Sequence, residues 1–266
     1  MGFENVAPGD PRLNDYGALR EPELLHGRGL FIAEGRLVVR RAIDGGRYRL
    51  RSVLVSEAAR RSLEPELARL APDIPVYVCR ASDFLDITGY NIHRGCLALV
   101  DRPAPLAADA LLGAARTVVL LEGVTNADNV GAVFRNAAAF AAGAVLLTPA
   151  CCDPLYRKAI RTSMAATLRV PYARIDDWPG ALARVRSLGF QIVALTPREP
   201  AEDLERFVER GRPERLLLMV GTEGEGLSAA AEADADVRVR IPIDATVDSL
   251  NLGVAAGIAL YRLALG

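Results

Sequence analysis

Between Thr117 and Ile243, five short apolar runs, TVVLLEG, GAVLLTP, FQIVALTP, RLLLMVG and VRVRIPI, alternate with segments of helical pattern near 130–142, 154–164, 179–188 and 201–210. A further helical segment follows near 250–264. Four of these runs carry no polar alternation, which suits strands buried on both faces, while VRVRIPI alternates. Strands separated by helical crossovers predict a mainly parallel sheet with helices on both faces. Ligands of such sheets sit at the carboxyl ends of the strands, where the glycine-rich loops of this chain also fall.

The first part repeats the pattern on a smaller scale. GLFIAEG, LRSVLVS, IPVYVCR and GCLALVD read as strands, RLVVRRAIDGG as a helix ending at Gly45, and ASDFLDIT as another helix. This predicts a small α/β layer domain over residues 1–103. The proline- and alanine-rich stretch 104–115 reads as a linker, which leaves 116–266 as the larger domain. At 266 residues the chain has length for two unequal domains.

Several classes are excluded or disfavoured. The sequence has no P-loop, no strand-linked G-x-G-x-x-G and no G-x-S-x-G elbow; the glycine-rich GTEGEG at 221–226 fits none of these spacings. Cys79, Cys96, Cys151 and Cys152 lack paired C-x-x-C spacing, and with only His26 and His93 beside them no metal site is expected. No apolar run is long enough to span a membrane, and MGFENVAPGDPRLNDYG lacks the form of a signal peptide, so a cytoplasmic location is expected. The net charge of −1 gives no global attraction to a polyanion, so any nucleic-acid surface must be local. Lys158 is the single lysine among 32 basic residues; arginine's planar fork suits phosphate, although a genomic composition bias explains the same fact.

Candidate site residues gather in three stretches. In NADNVGAVFRNAAAFAAGAVLL (126–147), Asn129 stands as a helix N-cap, Val133, Phe134, Ala137 and Ala141 form the stripe that packs on the sheet, and Gly131, Arg135 and Ala139 share a neighbouring face. One long cation among very small side chains leaves room for a ligand or another chain to approach; the plainer alternative is a surface arginine. LLLMVGTEGEGLS (216–228) ends a buried strand in a loop carrying Glu223, with Ser228 placed to cap the next helix. DSLNLGVAAGIALYRL (248–263) opens the last helix with Ser249 and Asn251 and carries Gly253 and Gly257 inside it, which predicts close packing against another backbone.

The ordered series N-x-G-x-x-x-R-N-A (129–137), V-G-x-E-G-x-G-L-S (220–228), I-P-I (241–243) and S-L-N-x-x-V-A-A-G-I-A-L-Y (249–261) resembles the signature motifs of the SpoU/TrmH branch of the SPOUT RNA methyltransferases, over roughly Val118 to Leu263. The first part is similar to the small α/β/α substrate-binding domain many members carry in front, mainly through FIAEG and HRGCLALV. The resemblance implies a parallel sheet with a C-terminal trefoil knot, S-adenosylmethionine as cofactor, a homodimer with a shared site, and methylation of a ribose 2′-hydroxyl in RNA, rRNA favoured over tRNA. It assigns Asn129, Arg135, Glu223, Ser249 and Asn251 to catalysis, and Thr196, Gly221, Ile241 and Leu250 to the cofactor. Arg135 departs mildly from the pattern in being followed by Asn136 where serine or threonine is common. A guanidinium stays protonated in ordinary sites, so phosphate binding and oxyanion stabilisation stand beside the base role the family assigns.

Arg157, Lys158 and Arg161, with Arg94 in the first domain, are read as RNA contacts; Arg36, Arg40, Arg41 and His93 are further candidates. Two other functions compete with the enzyme. One is an RNA-binding or ribosome-assembly protein of the same fold without catalysis, against which the joint presence of all five catalytic candidates argues. The other is a small-molecule α/β enzyme, for which the sequence offers no nucleophile, metal set or phosphate loop.

Overall fold

A computed structural model describes residues 2–17, 21–90, 92 and 95–265. The strands are β1 (Phe3–Asn5), β2 (Leu30–Glu34), β3 (Leu50–Ser56), β4 (Val76–Cys79), β5 (Cys96–Asp101), β6 (Thr117–Leu121), β7 (Ala144–Leu147), β8 (Tyr172–Arg174), β9 (Gln191–Leu195), β10 (Glu202–Asp203), β11 (Leu216–Val220) and β12 (Val237–Arg240). The α-helices are α1 (Arg36–Gly45), α2 (Glu57–Ser62), α3 (Glu64–Leu67), α4 (Phe84–Thr88), α5 (Ala108–Ala114), α6 (Ala127–Ala139), α7 (Arg157–Thr162), α8 (Ala181–Ser187), α9 (Leu204–Glu209), α10 (Ala229–Ala233) and α11 (Leu252–Leu265). Two compact units divide the chain: 1–104 with 155–168, and 105–154 with 169–266.

The first unit holds a five-stranded sheet in the order β1-β4-β3-β5-β2, with β5 antiparallel to both neighbours. Leu54, Leu97, Tyr77, Phe84 and Tyr16 fill one core, and the buried Tyr16 hydroxyl meets Ser52 Oγ at 2.7 Å. Residues 155–168, which the sequence reading leaves within 116–266, belong to this unit, and α7 packs on β2.

The second unit is the expected parallel α/β sheet, seven strands in the order β10-β12-β9-β11-β6-β7-β8. Every residue of β6 and β11 is buried, as runs of uninterrupted apolar residues require when both faces are covered. Leu120, Leu146, Ile192, Leu217 and Met219 lie in its core. The stretch read as linker contains a helix, because eight of the ten residues of LAADALLGAA are the strong helix formers Ala and Leu; α5 buries Leu112.

Two local expectations are corrected. The N-cap of α6 is Asn126, whose Oδ1 accepts from Asp128 N at 2.9 Å; Asn129 sits inside the first turn with its residue only 4% exposed. Ala141 lies past the helix end, exposed and with φ 55°, so the buried stripe is Val133, Phe134 and Ala137. Ser228 does cap α10, accepting from Ala231 N at 3.2 Å. The glycines of α11 let α6 approach closely: a Cβ on Gly253 would stand 2.6 Å from Ala132 Cβ and 3.9 Å from its Cα, and one on Gly257 2.9 Å from Asn136 Nδ2. Asn136 Nδ2 donates to Gly253 O at 2.7 Å, which fixes the two helices in register.

Candidate active site

A cavity of about 320 Å³ opens at the carboxyl ends of three neighbouring strands, β12, β9 and β11. Thr196 follows β9, Gly221 and Glu223 follow β11, Ile241 follows β12, and Ser249, Leu250 and Asn251 precede α11; all seven line it. The sheet thus gathers residues 55 positions apart because parallel strands point all their carboxyl ends the same way.

The wall after β11 is a tight loop. Thr222 and Gly226 exchange backbone bonds at 3.2 and 3.0 Å, and Gly224 and Gly226 take φ of 83° and 69°, values that favour glycine. At Gly221 any side chain is excluded: a Cβ would fall 2.0 Å from the Gly226 carbonyl carbon. Two residues the sequence reading missed pin this loop. Arg198 donates to Leu227 O at 2.9 Å and to Glu225 O, while Glu122 accepts from Ser228 N at 2.9 Å and Ser228 Oγ at 2.7 Å. Both follow strand ends, in VVLLEG and VALTPR, and that position was the available signal. Thr196 turns its hydroxyl away to the buried Glu232, donating at 2.7 Å.

Asn251 is the hub of the site. Its Oδ1 accepts from Gly253 N at 2.9 Å and Val254 N at 3.2 Å, capping α11, while its Nδ2 donates to Glu223 Oε1 at 3.0 Å and Asn129 Oδ1 at 3.2 Å. With both oxygen and nitrogen committed, the amide has one orientation and holds the glycine loop, α6 and α11 together. Asn129 joins the site through this bond without lining the cavity.

Arg135 does not line the cavity either. It lies six residues along α6 from Asn129, about 9 Å of helix rise and on a different face. Its side chain is exposed and, among the described residues, makes no hydrogen bond or ion pair. Glu223 is the only charged residue in the cavity wall, so the site offers nothing to neutralise a phosphate and suits a neutral or cationic group. Among the described residues no group of His, Cys, Asp and Glu is placed to hold a metal, and no helix is long and apolar enough to cross a membrane.

The arginines read as RNA contacts fall in the first unit. Arg157 is only 23% exposed and packs its guanidinium 3.5 Å from the Tyr90 ring centre, with Nε 3.4 Å from Glu21 and 3.7 Å from Glu34. Burial pushes the Tyr90 hydroxyl up to about 12, with Arg157 opposing the shift. Arg157 is thus held within the first unit by one ring and two carboxylates. Arg161, 58% exposed, shares Glu34 at 3.6 Å, and Lys158 is exposed. Arg40 pairs with Glu66 at 2.6 Å and Arg41 donates to Met164 O. Arg94 and His93 lie outside the described residues.

The sequence profile of the SpoU rRNA methylase family matches residues 116–261. The chain belongs to that family. An uncharacterized tRNA/rRNA methyltransferase of Mycobacterium tuberculosis is 42% identical over 260 residues, 96% of this chain and 89% of that one. Among solved structures, an AdoMet-bound rRNA methyltransferase from Sinorhizobium meliloti aligns with TM-score 0.80 at 24% identity, covering 98% of this chain and 97% of the other. The SpoU methyltransferase AviRb from Streptomyces viridochromogenes aligns with TM-score 0.79 at 22% identity, covering 96% and 97%. At these identities the likeness is one of fold, and it extends over both units of this SpoU-family chain.

Proposed function

We propose that this SpoU-family protein transfers a methyl group from S-adenosylmethionine to a ribose 2′-hydroxyl of RNA, with rRNA as the substrate pool. The observation that carries the reading is the cavity at the ends of β9, β11 and β12, lined by six of the assigned motif residues together with Thr196, Glu223 being the one charged side chain among them. S-Adenosylmethionine fits that chemistry, because it has no phosphate and its reactive sulfur is cationic. Ile241 and Leu250 offer apolar faces to a purine ring, and the backbone at Thr196 and Gly221 offers polar atoms to its edge. The cofactor supplies a methyl group already activated on a sulfonium.

What remains for the protein is alignment, exclusion of water and management of one proton. Glu223, held by Asn251, places a negative charge at the cavity wall. Asn129, tied to Asn251, carries the alignment into α6. Arg135, exposed and unpaired among the described residues, is free to bind the RNA phosphate beside the reacting ribose and to stabilise charge developing on the 2′-oxygen.

Because Arg135 stands outside the cavity of its own chain, we assign it to the cavity of a partner copy in a homodimer. An exposed apolar row on α11 supports this: Val254, Ile258 and Tyr261 are 51%, 37% and 49% exposed at helical spacing.

The test is transfer of labelled methyl from S-adenosylmethionine to total rRNA and total tRNA from a strain lacking this protein. Methylation at the 2′-oxygen removes the nucleophile of alkaline cleavage, so the expected result is label in rRNA that survives alkali in a dinucleotide. Label on a base, or in tRNA alone, overturns the assigned atom or pool; cofactor binding with no transfer to either pool supports the non-catalytic RNA-binding alternative.

A further inference from the structure

We infer that Met164, at the end of α7, is a contact for an unstacked base of the RNA, with Arg41 holding the turn that presents it and Arg161 beside it; this rests on the RNA reading above. The end of α7 is closed by two backbone bonds, Ala165 N to Ile160 O at 2.8 Å and Met164 N to Arg161 O at 3.0 Å. This paired closure puts the residue between them in the left-handed region, where glycine is the usual occupant. Here that residue is Met164, with φ 52°, and the next, Ala165, is left-handed too, with φ 62°. Ala165 has a structural reason for its place, since it and Ile160 are fully buried, as the apolar contact of such a closure requires. Met164 has none: its residue is 38% exposed, and glycine would close the helix with less strain.

The strained turn is rigid. Arg41 donates to Met164 O, Ser163 Oγ donates to Ile160 O at 2.9 Å, and Thr167 N donates to Ser163 Oγ at 3.3 Å. Strain that local packing does not require, in a segment fixed on several sides, points to a functional side chain. The surroundings define its partner. Glu21 and Glu34 together balance Arg157 and the 58% exposed Arg161, but Arg41 meets only the neutral Met164 carbonyl among the described residues, which leaves positive charge beside an exposed, polarisable thioether. A ligand that satisfies both is anionic with a flat aromatic face: a nucleotide, its base on the thioether and its phosphate toward Arg161.

The test measures binding of a fluorescein-labelled, mixed-sequence single-stranded oligoribonucleotide to the full chain by anisotropy at about 50 and 200 mM salt. Met164→Gly is the informative variant, because it relieves the backbone and is expected to keep or raise Tm, so lost binding cannot be misfolding. Its affinity is expected to fall about 5- to 100-fold with the salt dependence unchanged, while Met164→Leu stays close to wild type. If wild type binds the RNA and Met164→Gly binds it equally well, the inference fails and the RNA reading stands. If wild type binds no RNA, both fall. Displacement of the RNA by a polyglutamate peptide at equal concentration assigns the patch to an acidic protein and overturns the base contact.

Discussion

Asn251 Nδ2 donates to Asn129 Oδ1 across 3.2 Å, which fastens the residue capping α11 to the first turn of α6. The same nitrogen reaches Glu223, so one side chain aligns the three family motifs on one another. Asn251→Asp separates its two duties. An aspartate still caps the helix, but it cannot donate, and it sets a second carboxylate beside Glu223. The added carboxylate repels the one it faces, and a proton taken up between them as pH falls restores a donor at this position. Cofactor affinity measured by calorimetry is expected to drop about tenfold or more at pH 8 and to recover partly near pH 5, with Tm only slightly changed. An affinity equal to wild type at pH 8 removes Asn251 from the site.

Arg135→Ala is expected to separate activity from stability. The side chain is exposed and unpaired among the described residues, so its removal should shift Tm by no more than about 1–2 °C. Loss of a charge-stabilising donor costs about 10²- to 10³-fold in turnover. Methyl transfer under single-turnover conditions, beside a thermal melt, checks both halves. A variant with transfer within a few fold of wild type makes Arg135 an ordinary surface cation.

The cavity was legible in the sequence because its residues lie just past apolar strand runs, and strand ends in a parallel sheet converge wherever the order of strands places them. Gly221 and Ile241 directly follow β11 and β12, whereas Leu250, ten residues past β12, was reached only through the resemblance of the motifs. Glu122 and Arg198 obeyed the same rule and were missed, since a single charged residue after a strand reads as the start of a solvated loop; only the fold shows Ser228 and the Glu225 and Leu227 carbonyls in front of them. The N-cap of α6 slipped from Asn126 to Asn129 because N-A-D-N offers three capping residues in four, and sequence does not say which one turns its backbone. The sequence around Arg157 does not show Glu21, Glu34 and Tyr90, which it meets in the first unit, because they are 67 to 136 residues away.

The row Val254, Ile258 and Tyr261 tests the homodimer. In a monomer Ile258 is 37% exposed, and replacing it with glutamate would change stability by no more than about 0.5 kcal/mol. At the centre of an interface the same change buries an unpaired charge and weakens association by about tenfold or more. Sedimentation equilibrium of wild type and Ile258→Glu decides between them. A wild type that sediments as a monomer at all concentrations overturns both the dimer and the shared site.

Gly253 and Gly113 offer a matched pair of glycine-to-alanine changes in helices with opposite expected signs. At Gly113, in α5, a new Cβ meets nothing within 4 Å, so Gly113→Ala gains helix propensity alone, about 0.5–1 kcal/mol. At Gly253 the new Cβ would fall 2.6 Å from Ala132 Cβ, an atom fixed directly to the α6 backbone, and the Asn136 bond to Gly253 O would be displaced as the helices part. Overpacking of this kind costs about 1–3 kcal/mol, more than the propensity gain at a first-turn position, so Tm should fall by about 2–4 °C per kcal/mol. Ala132→Gly in the same chain removes the opposing atom and should restore part of the loss, short of full recovery because a glycine then sits inside α6. Thermal melts of the three variants check the series. Equal and independent losses from Gly253→Ala and Ala132→Gly would mean that the two helices do not press on each other at this point.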